Sequence, residues 1–135
     1  KALGADSPRL ATYLSRLASL YRTQGRYDQA IPLLERAVNN IEGQLGKEDP
    51  ALVGPLNNLA LIYTSQEKLE KAEPLFKRTV AIVEKTKGEN HPLLERTLRN
   101  YAASLQHANR HDEAEALIAR ADNIRKEMEN KKPAS

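Results

Sequence analysis

The chain has 135 residues, of which 40% are hydrophobic and 29% are charged, and its net charge at pH 7 is +3. This length suits one folded unit with a modest hydrophobic core. Aromatic residues make up only 4% of the chain, which favours packed helices over aromatic-rich strands. Because the sequence has no cysteine, disulfides, thiol nucleophiles and zinc–thiolate sites are excluded.

The charge distribution and the hydropathy argue against two kinds of partner. Positive and negative residues are interspersed along the chain, so the small positive net charge does not predict nucleic-acid binding. No apolar run approaches the ~20 residues needed to cross a bilayer, and no secretory signal segment opens the sequence. We therefore expect a soluble protein, with the cytoplasm favoured, that binds neither nucleic acid nor a membrane.

The sequence repeats itself with a fixed period. Pro8, Pro50 and Pro92 stand at intervals of 42 residues, and the alignment of the three copies needs no gap. A fixed period of about 20 to 50 residues is typical of stacked repeats. The other positions identical in all three copies are Leu10/Leu52/Leu94, Leu14/Leu56/Leu98, Ala18/Ala60/Ala102, Ala30/Ala72/Ala114, Leu33/Leu75/Leu117 and Arg36/Arg78/Arg120.

Each copy contains two stretches with helical periodicity. In the first copy, Leu10, Leu14, Leu17 and Tyr21 recur at spacings of three and four, which predicts an amphipathic helix A. After a break at 24–26, a second apolar stripe from Ala30 to Ile41 predicts helix B. Ala18 and Ala30, with their copies, are expected to let the two helices approach closely.

Capping residues mark the ends of the predicted helices. Ser7, Asp49 and His91 each precede a proline at the first position of a helix A, where the missing N–H costs nothing. Gly46 and Gly88 are expected to end the B helices with a positive φ.

The two ends of the sequence differ from its middle. Residues 1–8 align without a gap on 43–50, so we expect the natural protein to continue upstream. Asp122 and Arg125 replace valine and isoleucine on the face that a following helix would cover, which predicts an end cap. The predicted organisation is a tail of a preceding repeat at 1–7, repeats at 8–49, 50–91 and 92–129 with the cap included in the last, and a disordered tail at 130–135.

The repeat pattern resembles that of the tetratricopeptide family, whose period is about 34 residues. The longer period and segments such as 56–60, 71–75 and 88–92 resemble the repeats of kinesin light chains and their bacterial relatives. HEAT and armadillo repeats have similar periods but lack the tyrosine and paired-alanine spacing. The residues that match the tetratricopeptide pattern in the second copy are Leu56, Leu59, Ala60, Tyr63, Ala72, Phe76 and Thr79.

The resemblance implies an all-α fold, a right-handed superhelix of three antiparallel helix-turn-helix units (an α-solenoid). It also implies a protein- or peptide-binding module without catalysis or a cofactor, in which helix A of each repeat lines a concave groove. Two alternatives stay open. One is self-association through the exposed first helix A, and the other is a regulatory appendage of a larger enzyme or signalling protein.

The predicted groove is poor in carboxylates. Helices A of the first two copies contain no Asp or Glu, and the third contains only Glu95. Since arginine pairs carboxylates bidentately, we expect an acidic peptide, although a solvated arginine on a helix is also ordinary. The family uses an asparagine at the position of Asn58 and Asn100 to hold a peptide backbone. The candidate peptide-binding residues are Asn58, Asn100, Arg16, Arg96, Arg99, Asn57, Arg22 and His107.

Other chemistry is not predicted. His107 and His111 are four residues apart but straddle the turn between helices A and B, and His111 occupies a packing position, so a metal site is not expected. Glu35, Glu42 and Glu84 lie on the B helices beside Arg36 and Lys85 and are interpreted as members of exposed ion pairs, which stabilise the fold little.

Overall fold

The computed structural model describes residues 8–131, and the described part is entirely helical apart from its turns. Three helical hairpins follow one another along the chain, as the sequence predicted. The second repeat begins with a short 3₁₀ helix at Pro50–Leu52. The six α-helices are α1 (Pro8–Thr23), α2 (Tyr27–Leu45), α3 (Val53–Ser65), α4 (Leu69–Lys87), α5 (Pro92–His107) and α6 (His111–Asn130).

Two of the three predicted N-terminal caps are confirmed. The Asp49 carboxylate accepts a hydrogen bond from the Ala51 N–H at 2.8 Å, and Nδ1 of His91 accepts one from the Leu93 N–H at 3.0 Å. Ser7 lies outside the described residues. The second copy starts with the 3₁₀ turn because Pro55 has no N–H for the Ala51 carbonyl and its ring would clash with that carbonyl in an α-helix.

The helix ends follow the predicted pattern, with one addition. Gly46 and Gly88 end α2 and α4 with φ values of 97° and 90°. The turns between helices A and B place Gly25, Glu67 and Asn109, which are equivalent positions, at φ values of 75°, 61° and 64°. Two of these three residues therefore adopt a left-handed conformation without being glycine. Such a conformation is unfavourable for a residue with a Cβ, least so for asparagine.

Small residues lie where the two helices of each hairpin meet. Ala18 and Ala30 are fully buried in the first hairpin, and Ala60 and Ala72 are fully buried in the second. Ala60 and Ala72 belong to one apolar cluster with the fully buried Phe76. The burial of both alanines in each of these two hairpins agrees with the prediction that small side chains let the helix axes approach closely.

The hairpins stack in chain order, and each described repeat contacts only its neighbours. Helix α2 packs against α3 and α4 packs against α5, while α1, α3 and α5 also meet along one face. This face is formed by the A helices, as expected for the groove of a solenoid. The right-handed sense of the superhelix remains a prediction.

Helix α6 ends at Asn130, one residue beyond the predicted end of the third repeat. Asn130 was assigned to the tail, but it is the last residue of α6, and Lys131 lies in the turn that follows. The predicted segments at 1–7 and 132–135 lie outside the described residues.

Two equivalent ion pairs connect successive B helices. Arg78 on α4 pairs with Glu42 on α2, and Arg120 on α6 pairs with Glu84 on α4. Arg78 also donates a hydrogen bond to the Lys47 carbonyl at 3.0 Å. The expectation that these glutamates form pairs on their own helices was wrong, because each glutamate pairs with the arginine 36 residues further along the chain, on helix B of the next repeat. We call this series the arginine–glutamate ladder.

The junction between the second and third repeats contains a polar cluster beside aromatic rings. Arg110 donates hydrogen bonds to both Glu73 oxygens at 3.0 and 3.1 Å, and the Tyr101 hydroxyl also donates to Glu73. The rings of Tyr101 and Phe76 stack with centroids 5.2 Å apart. Burial alone would raise the pKa of Glu73, but these hydrogen bonds and the positive charges of Arg110 and Lys77 hold that pKa below its ordinary value.

Candidate functional site

A cavity of about 440 Å³ lies between the first and second repeats. It is open to solvent and bounded by α1, the last turns of α2 and the start of the second repeat. Seven of its lining residues lie on α1 and α3, the A helices that were expected to line the groove. The complete lining is Ala11, Thr12, Ser15, Arg16, Ser19, Ile41, Leu45, Ala51, Pro55 and Asn58.

Arg16 and Asn58 are the two candidate binding residues that this cavity brings together. Arg16 is exposed on α1, and Asn58 is half-buried on α3. The cavity lining contains no aspartate or glutamate. A guanidinium and a side-chain amide therefore lie at one opening without a carboxylate among its walls, which leaves both groups able to bind a ligand.

The apolar wall of this cavity was missed by the sequence analysis, which considered only the A helices. Ile41 and Leu45 come from the end of α2, and Pro55 comes from the start of α3. Leu45 is one of three large hydrophobic residues that are exposed in the described structure. The signal was present in the sequence, since Val38, Ile41 and Leu45 continue the apolar stripe of helix B by spacings of three and four.

The candidate asparagines occupy two adjacent positions of the repeat. Arg16, Asn58 and Asn100 occupy the same position in the three repeats, at intervals of 42 residues. The adjacent Asn57 is buried, and its Oδ1 accepts a long hydrogen bond of 3.5 Å from Nδ2 of Asn100. Asn57 thus joins α3 to α5 and orients Asn100, whereas the sequence analysis had placed it among the residues that contact the peptide.

Arg99 requires a correction. Its guanidinium donates to Asp122 at 2.8 Å and to Glu95 at 3.0 Å, and the hydrogen bonds to Asp122 and Glu95 raise the pKa of Arg99. Glu95 also pairs with Arg125 at 2.8 Å. The premise that no carboxylate faces the groove arginines was therefore wrong for Arg99, because its position points along the stack and meets α6 in the last repeat.

The other three candidates lie apart from the cavity. Arg96 is exposed on α5, at the position that Thr12 occupies on α1, and it has no ion pair among the described residues. Arg22 is half-buried, and its Nε has no hydrogen-bond partner within residues 8–131. His107 lines a smaller cavity of about 110 Å³ with Thr64 and Ser104, and its Nε2 lies 3.4 Å from a Glu67 oxygen.

Within the part of the chain that the structure describes, no cluster of three or more His, Asp and Glu side chains could hold a metal ion. None of the helices over the same residues combines the length and the hydropathy needed to cross a membrane.

A sequence model of the tetratricopeptide repeat matches residues 1–43 and 53–127. The chain belongs to the tetratricopeptide repeat family. Repeats of this family are generally protein–protein interaction modules, and their fold is a non-catalytic scaffold. No curated protein sequence matches the chain.

Solved tetratricopeptide structures of the kinesin light chain type resemble this chain. The crystal structure of BtubC (BKLC) from P. vanneervenii is 25% identical, with a TM-score of 0.86 over 97% of this chain and 52% of that one. A protein described as a kinesin light chain with nearly identical TPR-like repeats, from Podosopora anserina, is 25% identical in two structures. Their TM-scores are 0.80 and 0.77, over 96% and 94% of this chain and 61% and 60% of those. The chain thus spans between half and two thirds of the length of these structures.

Proposed function

We propose that this chain is a protein-interaction module that binds an extended acidic peptide segment along the A helices. The observation that carries the proposal is the cavity shared by Arg16 and Asn58, which has no carboxylate in its lining. A peptide carboxylate placed there would meet one positive charge and no negative one. Both α1 and α3 lack acidic residues along their whole length.

The equivalent side chains Asn58 and Asn100 support binding in an extended conformation. Each amide can donate and accept a hydrogen bond, so each can pair with one peptide group of a ligand whatever its side chains are. Asn57 holds the Asn100 amide from the neighbouring helix. An amide that is already oriented loses less conformational entropy when a ligand binds.

The first repeat supplies the groups that would select the ligand. Arg16 would pair with a ligand carboxylate, and the apolar wall at Ile41, Leu45 and Pro55 would cover an apolar side chain next to it. Arg96, on the outer A helix, offers a second positive charge further along the groove. An acidic segment with an apolar residue among its carboxylates is therefore the ligand that fits.

Fluorescence anisotropy with labelled acidic peptides tests this proposal. We expect Arg16→Ala to weaken binding about tenfold, which corresponds to ~1.4 kcal/mol. Arg36→Ala is the matched control, because it removes the same charge from an exposed position on α2, outside the cavity. Binding should also weaken as salt is raised from 50 to 500 mM, because the attraction is screened.

The proposal fails if acidic peptides bind with no salt dependence, or if Arg16→Ala and Arg36→Ala have equal effects. Asn58→Ala separates the two parts of the mechanism. It should weaken the binding of acidic and neutral peptides by the same factor, because Asn58 contacts the peptide backbone. Arg16→Ala should weaken the binding of acidic peptides only.

A further inference from the structure

The cavity between the first and second repeats has three hydroxyl groups around Arg16. Thr12 and Ser19 lie about one turn before and one turn after Arg16 on the same face of α1, and Ser15 directly precedes it. Asn58 of α3 lines the same cavity. All five side chains can donate hydrogen bonds, and the guanidinium carries a positive charge. We call these five residues the donor cluster.

The residue at position 15 explains why α1 and α3 leave a space between them. At the next junction, the equivalent residues are Asn57 and Asn100, which are joined by a side-chain hydrogen bond of 3.5 Å. At the first junction, Ser15 and Asn58 take these positions. The serine side chain is shorter than that of asparagine, so the gap stays open to a ligand.

The hydroxyls of the donor cluster are not used by the fold. Neither Thr12, Ser15 nor Ser19 makes a side-chain hydrogen bond within residues 8–131, and Arg16 makes no ion pair there. A threonine hydroxyl in a helix commonly donates to a carbonyl of the preceding turn. The other threonines of the chain do so at 2.7 to 2.9 Å, namely Thr23, Thr64, Thr79, Thr86 and Thr97. The Thr12 hydroxyl therefore remains available to a ligand.

The accessibility of this wall does not depend on α1 being the first helix. On α3, which packs against the first repeat, the residues equivalent to Thr12, Arg16 and Ser19 are exposed or half-buried. The same is true on α5, which packs against the second repeat. A preceding repeat thus leaves these positions of helix A open to the groove. The equivalent residues are Gly54, Asn58 and Leu61 on α3, and Arg96, Asn100 and Ala103 on α5.

The donor cluster fits a phosphate better than a carboxylate. A carboxylate has two oxygens, and a bidentate pair with Arg16 engages both of them. A phosphate monoester has three acceptor oxygens and a charge of about −1.5 to −2 at pH 7. Its third oxygen can accept hydrogen bonds from the hydroxyls of Thr12, Ser15 and Ser19 while the other two pair with the guanidinium. The hydroxyls therefore favour the phosphate over the carboxylate.

The remaining walls of the cavity favour a peptide as the carrier of the phosphate. No aromatic residue belongs to the lining, so a nucleotide base would have no ring to stack on. Ile41, Leu45 and Pro55 instead form an apolar wall that can cover a neighbouring side chain. Asn58, which would hold the peptide backbone, lines the same cavity as Arg16. The link between backbone and phosphate must therefore be short, as it is in phosphoserine and phosphothreonine.

We propose that the groove selects a peptide segment containing phosphoserine or phosphothreonine, with the phosphate bound by Arg16 and the hydroxyls of Thr12, Ser15 and Ser19. This inference rests on the proposed binding of an acidic peptide in the groove, and it specifies the anionic group that the first repeat prefers.

Three peptides that differ at one position test the preference by fluorescence anisotropy. The variable residue lies next to a leucine in an acidic sequence and is serine, glutamate or phosphoserine. We expect the phosphoserine peptide to bind about tenfold more tightly than the glutamate peptide, because it offers a further oxygen and more charge. Equal affinities for these two peptides would overturn the inference and leave the proposed function intact. If none of the three peptides binds, both fail.

Removing the hydroxyls separates the phosphate from the carboxylate. The combined variant Thr12→Val, Ser15→Ala and Ser19→Ala should bind the phosphoserine peptide about tenfold more weakly and the glutamate peptide less than about twofold more weakly. Ser65→Ala is the matched control, because it removes an exposed hydroxyl from α3 outside the cavity. An equal loss of affinity for both peptides would contradict the role of the hydroxyls.

The phosphorus-31 NMR signal of the phosphoserine peptide gives a second measurement that is independent of affinity. At saturating protein, we expect this signal to shift less with the combined hydroxyl variant than with the natural chain. Circular dichroism melting verifies that the variant is folded. A shift of the same size with both proteins would place the phosphate outside the donor cluster and overturn the proposal.

Inorganic phosphate tests whether the site binds the free anion instead. We expect it to bind at least about a hundredfold more weakly than the phosphoserine peptide, because it makes no contact with Asn58 or the apolar wall. Competition against the labelled phosphoserine peptide measures this affinity. Equal affinities would assign the site to free phosphate and overturn the proposal.

Discussion

The guanidinium of Arg99 on α5 lies 2.8 Å from the carboxylate of Asp122 on α6. Glu95 pairs with the same guanidinium at 2.9 Å and also pairs with Arg125 at 2.8 Å. These four charged residues cover the outer face of the third repeat, where Val38 and Ile41 of the first repeat contact the next one. Arg99 therefore connects α5 to α6 within the third repeat.

Replacing Arg99 separates this structural role from peptide binding. Arg99→Ala should lower the free energy of unfolding by about 1 kcal/mol, the scale of a charged hydrogen-bonded pair that is partly exposed to solvent. Urea denaturation followed by circular dichroism measures this change. Lys126→Ala removes an exposed positive charge from α6, the helix that carries Asp122, and should leave stability unchanged. Peptide affinity should be unaffected by Arg99→Ala. A loss of affinity as large as that caused by Arg16→Ala would show that Arg99 is a peptide-binding residue.

The lowered pKa of Glu73 predicts a pH dependence of stability. The folded pKa lies below the ordinary value of 4.5, so the ionised group stabilises the fold fully above about pH 4.5. This contribution is lost as the pH falls through the folded pKa. Glu73→Gln should therefore differ from the natural chain by a constant amount between pH 6 and 8 and by progressively less below pH 4.5.

Unfolding free energies measured across that pH range test the Glu73 prediction. Glu70→Gln is the control, since Glu70 is an exposed residue in the first turn of the same helix. Parallel pH profiles for Glu73→Gln and the natural chain would contradict the role of Glu73.

The close approach of the hairpin helices predicts a penalty for a larger side chain. Ala60→Leu should lower the free energy of unfolding by about 1–3 kcal/mol, the usual cost of overpacking a core. Ala81→Leu places the same side chain on an exposed position of α4 and should change stability by less than about 0.5 kcal/mol. Thermal denaturation of both variants gives the comparison, and equal stabilities would show that the contact is not tight.

The left-handed conformation of Glu67 predicts a stabilising substitution. Glu67 has a φ of 61° at the position that Gly25 occupies in the first repeat. Glu67→Gly should raise the free energy of unfolding by about 0.5–1 kcal/mol, because glycine adopts this conformation without steric cost. Glu67→Ala also removes the carboxylate near His107 but keeps the Cβ, so it should give no gain. A gain of the same size in both variants would assign the effect to the lost charge.

The fold was predictable because its signals are local and repeated. The interval between Pro8, Pro50 and Pro92 fixed the helix order, and short-range capping at Asp49 and His91 needs no tertiary information. The ladder was harder to predict. The column of Arg36, Arg78 and Arg120 was visible in the sequence, but its glutamate partners lie about one repeat away, and their pairing depends on how the helices stack.

The candidate site was predicted less completely for a related reason. Helical periodicity identifies the residues that lie outside the apolar stripe, and this was enough to assign Arg16 and Asn58 to the groove. It does not distinguish a position facing a neighbouring repeat from one facing solvent, so Asn57 and Arg99 were assigned to the groove. The contribution of Leu45 depends on the end of helix B turning towards the next A helix, which only the stacked structure shows.

The most direct test of the account follows the side-chain amides of Asn58 and Asn100 by NMR during titration with an acidic peptide. We expect both amide signals to shift and to saturate at one dissociation constant, and we expect the signal of Asn123, on the exposed surface of α6, not to shift. Binding that leaves the Asn58 and Asn100 signals unchanged would place the ligand elsewhere and contradict the groove as the binding site.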